Sequence, residues 1–197
     1  MSKDRFKRNK PVRKRRRVYV IAAEGEQTEE IYFSAFRGDK YRKNIHIEVL
    51  SSKKGHSSPQ NVLRRLREYI KHYGLEKEDE AWLVIDVDNW GEEILADICQ
   101  GCQKLGFYTA ISNPCFELWL MLHQEKPKRV LHERECRIEL EKLLGEYKKS
   151  KYNAQKLLSH VNLAIQHAEQ MDRESNGPWP QGTGSHVYKL VRKIISE

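Results

Sequence analysis

Ala81-Trp82-Leu83-Val84-Ile85-Asp86-Val87-Asp88 decides the fold: five apolar residues run straight into a pair of acids. A short apolar run with β-branched and aromatic members, bounded by polar residues, predicts a buried strand. Val18-Tyr19-Val20-Ile21-Ala22-Ala23 repeats the pattern and closes on Glu24-Gly25-Glu26. Acids at the carboxyl ends of neighbouring parallel strands sit where open α/β sheets hold their ligands. Alternation along an extended chain points Asp86 and Asp88 to the same side. Glu24, Asp86 and Asp88 gathered at one edge would repel one another unless a cation lay between them. Oxygen-only ligation suits Mg²⁺ or Mn²⁺. The pattern predicts a metal-dependent site acting on phosphates.

Outward from these two strands the chain alternates. Strand one spans Arg17 to Ala23, and Thr28-Glu29-Glu30 opens a helix carrying Ile31, Tyr32, Phe33 and Phe36; acids in a first turn favour the helix dipole. Ile45, Ile47 and Val49 alternate with polar residues, which predicts a half-buried or edge strand. A polar loop from Ser51 to Ser58, with Lys53, Lys54 and Gly55, ends at Ser58-Pro59, a helix-start signal. The helix from Pro59 to Tyr73 turns Val62, Leu66, Tyr69 and Ile70 inward and Arg64, Arg65, Arg67 and Lys71 outward. That outer face is either a phosphate-binding surface or a plain solvated one. Gly91 opens a further helix that Gly106 stops, Phe107 to Ile111 makes strand four, and Asn113-Pro114 caps a helix with Phe116, Leu118, Trp119, Leu120 and Leu122. Such alternation predicts a parallel sheet with helices on its faces and right-handed crossovers.

Beyond Val130 only helices are expected: Leu131 to Tyr147, one helix from Tyr152 to Met171, a loop from Asn176 to Gly182, and a last helix capped by Ser185. The expected organisation is a disordered basic arm over 1–16, an α/β core over 17–125 and a helical extension over 126–197 packed on the core.

The charge of +8 is lopsided: residues 1–17 hold ten Lys or Arg against one Asp, and the other 180 hold 26 basic and 27 acidic side chains. A cationic arm on a near-neutral body is attracted to polyanions. Arg13, Lys14, Arg15, Arg16 and Arg17, with Arg64 and Arg65, are the candidate nucleic-acid contacts; a solubilising tail or an arm for an acidic partner is the alternative. No run approaches the ~20 apolar residues of a membrane span, and the basic N-terminus lacks a signal-type apolar stretch, so a cytoplasmic protein with no membrane partner is expected.

Other motifs carry less. Cys99 and Cys102 form a CxxC late in a helix-like segment. A redox pair needs a helix N-terminus, and a structural zinc needs further ligands at matching spacing. With Cys115 and Cys136 isolated, buried thiols in a reducing compartment fit better. Glu26 is a further ligand or a first-turn acid, with the latter favoured. Asn113 is a cap or a member of the site, and Glu117 a second-metal ligand, a water-orienting group or half of an ion pair. His123 reads as a helix-end residue. Lys151-Tyr152 and Ser185-His186 are polar spots at helix starts that could meet a phosphate.

Glu24-Gly25-Glu26 followed by Asp86-x-Asp88-x-x-Gly91 on a later strand resembles the Toprim pattern of topoisomerases, bacterial primases and related nucleases. More narrowly, Glu24-Gly25-Glu26-Gln27-Thr28-Glu29-x-x-Tyr32, the Asp86-Val87-Asp88 strand end, Ser112-Asn113-Pro114-Cys115-Phe116-Glu117-Leu118-Trp119-Leu120 and a helix beginning near Val187 resemble the RloB-like family over residues 17 to 195. The resemblance implies a Toprim-like, mostly parallel four-stranded sheet flanked by helices, with a C-terminal helical extension. It also implies Mg²⁺ held by Asp86 and Asp88, with Glu24 a ligand or general acid/base, and a nuclease-like activity in phage-defence or restriction loci beside an AAA- or ABC-type ATPase. The chain carries no strand-passage, clamp or primase accessory domain, which argues against those activities.

Three readings follow for the function. The first is metal-dependent hydrolysis of phosphodiester bonds in RNA or DNA, with Glu24, Asp86 and Asp88 as catalytic and metal-binding residues. The second is a non-catalytic nucleic-acid-binding and ATPase-docking module on the same scaffold. A metal-dependent phosphatase on a small substrate is the third.

Overall fold

Arg17–Ala23 forms the first strand, β1, and five successive residues from Tyr19 to Ala23 are buried because this strand is covered on both faces. The computed structural model describes residues 15–38, 44–52, 56–87, 90–173 and 177–197. The remaining elements are α1 (Thr28–Ser34, continued by a 3-10 turn over Ala35–Arg37), β2 (Ile45–Leu50), α2 (Pro59–Tyr73), β3 (Glu80–Asp86), α3 (Glu92–Lys104), β4 (Tyr108–Asn113), α4 (Phe116–Met121), α5 (Glu133–Leu144), α6 (Ala154–Leu158), α7 (Val161–Asp172), β5 (Gly184–Ser185) and α8 (Val187–Ile195). The fold is mixed α/β, one sheet flanked by helices with the C-terminal helices packed on it, consistent with a Toprim-like core.

The sheet order is β2-β1-β3-β4-β5. The first four strands are parallel, and β5 pairs antiparallel to β4 with Ser112 opposite Ser185 and Asn113 opposite Gly184. Alternate residues of β1 feed two cores. Tyr19, Ile21 and Ala23 pack with α1, α4, α5, α7 and α8, while Val20 and Ala22 pack with Val62 and Leu66 of α2 and Leu95, Ile98 and Cys102 of α3. The chain thus steps from β1 to β2 over one face and returns from β2 to β3 and β4 over the other. Right-handed crossovers require that change of face when the direction of travel reverses.

The sequence expectations require several corrections. The sheet has five strands, not four: His186 N–H donates to Ile111 O at 2.8 Å, and the Ser112 and Ser185 hydroxyls are 2.9 Å apart. Ser185 therefore belongs to a strand, although its hydroxyl also accepts Val187 N–H at 3.3 Å. Asn113 caps no helix. It ends β4 and donates to Pro180 O at 2.9 Å, and Cys115 holds the N-cap position of α4. The long helix expected from Tyr152 to Met171 is two, α6 and α7, because Ser159 bonds back to Lys156 O at 2.6 Å and His160 N–H to Leu157 O at 2.8 Å, closing a turn. Finally, β3 ends at Asp86, and Asp88 lies outside the described residues, as do Arg13, Lys14, Lys53, Lys54, Gly55, Asn176 and nearly all of the expected arm.

No helix among the described residues is long and apolar enough to cross a membrane. The cysteines are unpaired, and burial pushes the Cys102 thiol up to about 12.

His123 is fully buried at the end of α4. Its Nδ1 faces the carbonyls of Trp119 (3.0 Å) and Leu120 (3.2 Å), so Nδ1 carries the proton and Nε2 accepts the Tyr32 hydroxyl at 3.0 Å. Burial pushes its pKa down to about 4, below the usual 6.5 of a free imidazole. The unfolded chain then binds more protons than the folded one between those values, so stability falls as pH drops through that window. We predict that urea unfolding shows a loss from His123 of about 2 kcal/mol between pH 7 and pH 5, and that His123→Gln removes that component of the pH dependence.

Candidate functional site

The β1–β3 register carries on one residue past β1. Glu24 N–H donates to Val84 O at 3.0 Å, which sets Glu24 alongside the end of β3. Its side chain then crosses to β3: Oε2 accepts Asp86 N–H at 3.1 Å and Oε1 accepts the Trp90 indole N–H at 3.2 Å. Glu24 and Asp86 therefore meet at the carboxyl ends of the two central strands. The crossover direction reverses between these strands, which is the switch point where open α/β sheets bind ligands.

A third acid, Glu29 of α1, is folded in beneath them. It is 4% exposed, and its Oε1 accepts Gly25 N–H at 3.1 Å. A Cβ at position 25 would lie 2.0 Å from Glu29 Oε2, so a larger residue there displaces the buried Glu29 carboxyl from its Gly25 N–H bond. Burial first, and then the neighbouring Glu117 charge, hold the Glu29 carboxyl above the usual range. Glu117, one residue into α4, is 2% exposed. It accepts the Tyr147 hydroxyl at 3.2 Å and pairs with Lys149 Nζ at 3.4 Å and Arg137 Nε at 3.5 Å.

These side chains share a cleft of about 370 Å³, lined by six carboxylates (Glu24, Glu26, Glu29, Asp86, Glu117 and Glu133) and by Lys149. Glu26 is exposed there. Among the described residues no three His, Cys, Asp or Glu side chains form a group that could hold a metal ion. In kind, the donors suit a hard divalent cation, since all are oxygens in an excess of negative charge. Glu24 and Asp86 are brought together; Asp88, the third expected ligand, lies outside the described residues.

The expected basic contacts are placed differently. Arg15 makes a two-pronged contact with Asp79 at 3.0 and 2.7 Å, and Arg17 bonds Glu80 at 2.6 Å and also pairs with Glu197. Arg16 is exposed. Arg64, on the outer face of α2, bonds Asn61 at 3.0 Å. Arg65 turns inward, donating to Ala23 O at 2.7 Å, Ser52 Oγ at 3.0 Å and Leu50 O at 3.2 Å. It ties together the ends of β1 and β2 immediately before Glu24, and burial lowers its pKa. Asn113 is spent on Pro180.

Sequence reasoning passed over Glu29 as a first-turn helix acid. The available signal was its place four residues after a glycine on the acidic turn, one helical turn of reach back to that backbone. Lys149 and Tyr147 carried no such signal, because they enter the cleft through tertiary packing from beyond α5.

Fold and cleft together define a mixed α/β protein with a carboxylate-rich site at the switch point of its sheet. A family model described as RloB-like protein matches residues 19–194. The chain belongs to the RloB-like family. No curated protein and no solved structure matches it.

Gly25→Ala is predicted to destabilise the protein by about 1–3 kcal/mol, the usual cost of overpacking a filled site. Glu29→Ala opens the space the new methyl needs, so the double variant should lose less than the sum of the single losses in urea denaturation.

Proposed function

We propose that this protein is a Toprim-type, metal-dependent nuclease that hydrolyses phosphodiester bonds of RNA or DNA, working in a phage-defence or restriction setting with an ATPase partner. The observation that supports it most directly is the Glu24 carboxylate laid on the Asp86 N–H at the sheet's switch point, within a cleft of six carboxylates. Such a cleft repels a phosphate backbone by itself. Glu24 and Asp86, with Asp88 on sequence grounds, are the residues that would hold Mg²⁺ or Mn²⁺. When bound, the cation supplies Lewis-acid polarisation of a phosphoryl oxygen and neutralises developing charge.

The chain's own residues perform the rest. The Asp86 N–H and the Trp90 indole fix the orientation of the Glu24 carboxylate, so one defined arrangement faces the cleft. Glu24 or Glu29, both on the cleft lining, would carry the proton in this reading. Lys149 places a positive charge beside Glu117 on the cleft lining, where an incoming phosphate would meet it.

The test is cleavage of labelled RNA and DNA by the purified protein with Mn²⁺, with and without EDTA. Asp86→Asn and Asp88→Asn should each lower the rate by at least about 100-fold, the scale of losing one electrostatic stabiliser of the transition state, while far-UV circular dichroism and Tm stay near wild type. Metal-independent cleavage, or unchanged cleavage in both variants, would overturn the reading. Nucleic-acid binding without cleavage would leave the binding module.

A further inference from the structure

A second cavity, of about 820 Å³, adjoins the acidic cleft; Tyr147, Lys148, Lys151 and Tyr152 line it with Glu141 and Glu146. Its volume falls in the range of small-ligand sites. The turn that builds it is tightly closed: Lys148 N–H donates to Lys151 O at 3.3 Å and Lys151 N–H to Lys148 O at 2.8 Å. Lys149 and Ser150 form its tip, so three lysines are displayed within four residues, all exposed.

The wall between the two cavities is one layer of side chains. Tyr147 lines the second cavity and donates its hydroxyl to Glu117 in the cleft, and Lys149 reaches the same Glu117 oxygen. Thr28, on the cleft lining, donates to Lys149 O at 3.1 Å and accepts the Tyr152 hydroxyl on its own carbonyl at 2.6 Å. These bonds pin the hydroxyl ends of both tyrosines, whose rings lie tilted at 5.7 Å between centroids. Among the described residues Lys148 and Lys151 make no ion pair, whereas Lys149 is held by the cleft.

Two lysines outside any ion pair, two fixed aromatic rings and a cavity roomy enough for a nucleotide beside a carboxylate cleft have one ligand chemistry in common. Lysines meet phosphates as point charges, and aromatic rings accept unstacked bases of any sequence. We infer that this cavity receives a nucleotide of a single-stranded substrate flanking the bond to be cut. Lys148 and Lys151 contact its backbone phosphates, and Tyr147 and Tyr152 present rings to its base. The inference rests on the nuclease reading for the role of the cleft, but its binding component can be measured without cleavage.

The experiment is fluorescence anisotropy with a labelled single-stranded oligonucleotide in EDTA, across a salt series, using the full chain. K148E/K151E is compared with K77E/K104E, which makes the same charge change at exposed positions. Lys77 precedes β3 and Lys104 ends α3, so both stand at the edge of the sheet opposite the cleft. K148E/K151E should weaken binding at least about tenfold, and K148A/K151A should reduce the slope of log K against log salt by about 1.4, the value for two single-strand phosphate contacts. Tyr147→Ala/Tyr152→Ala should weaken binding at low and high salt alike. Equal weakening by K148E/K151E and K77E/K104E would overturn the inference, as would wild-type affinity in K148E/K151E. Weaker binding in K148E/K151E with no Mn²⁺-dependent cleavage by the wild type would support this site while overturning the nuclease reading. Cleavage at wild-type rate and KM in K148E/K151E would do the reverse.

Discussion

Crowded negative charge at the centre of the sheet edge is the constraint on which this structure turns. Carboxylates packed into one small cleft are costly to desolvate and repel each other. The protein offsets the cost locally: Asp86 N–H and the Trp90 indole serve Glu24, Gly25 N–H serves Glu29, and Tyr147, Lys149 and Arg137 serve Glu117. Each donor comes from a different element from its acid, or from the turn just before it. The cleft is thereby tied to the mutual positions of β1, β3, α1, α4 and the turn after α5, and loosening any of these pairs would disturb the others.

The packing around β1 and β3 serves that requirement. Both strands are buried on two faces, so their register is specified by two cores at once. Arg65 reinforces the end of β1 by bonding Ala23 O and Leu50 O, one residue short of Glu24. A guanidinium from the phosphate-accessible face of a helix was the sequence expectation; its planar fork instead bridges two strand ends, a geometry that a lysine ammonium would not reproduce. At the opposite edge, Gly184–Ser185 closes β4 with the start of the last helix, so the C-terminal segment completes the sheet as well as covering it.

Much of the architecture was legible because its signals were local and repeated. Five apolar residues before Asp86 and six before Glu24 mark strands buried on both faces, and the helical period from Val62 to Ile70 marks a one-faced helix; both patterns report how many faces meet the core. The two-residue β5 is shorter than one alternation, so no period exists to detect. The break between α6 and α7 was hidden for the opposite reason. Ala154, Leu157, Val161, Ala164 and Ala168 stay on one buried side across it, so the inward pattern persists while a serine hydroxyl interrupts the backbone ladder. Within the site, the acids at strand ends were readable from position alone. The partners that fix them were not, since Trp90, Tyr147 and Lys149 reach the cleft only after the chain has folded.

The charge distribution along the chain also conceals where charge matters. Counting by segment puts the excess in the first seventeen residues and leaves the body near neutral. In the fold, Arg15 and Arg17 are bound to Asp79, Glu80 and Glu197 at the start of β1. Glu24 lies at the other end of that strand, roughly 23 Å away at the rise of an extended chain. Among the described residues, positive charge beside the carboxylates comes from Lys149 of the Lys148–Lys151 turn and from Arg137 of α5. A near-neutral body is thus made of opposed fields placed side by side. Because salt screens exposed charges separated by more than about a Debye length and clefts focus the field of the charges that line them, this local juxtaposition weighs more at Glu24 and Asp86 than the net charge of the chain does.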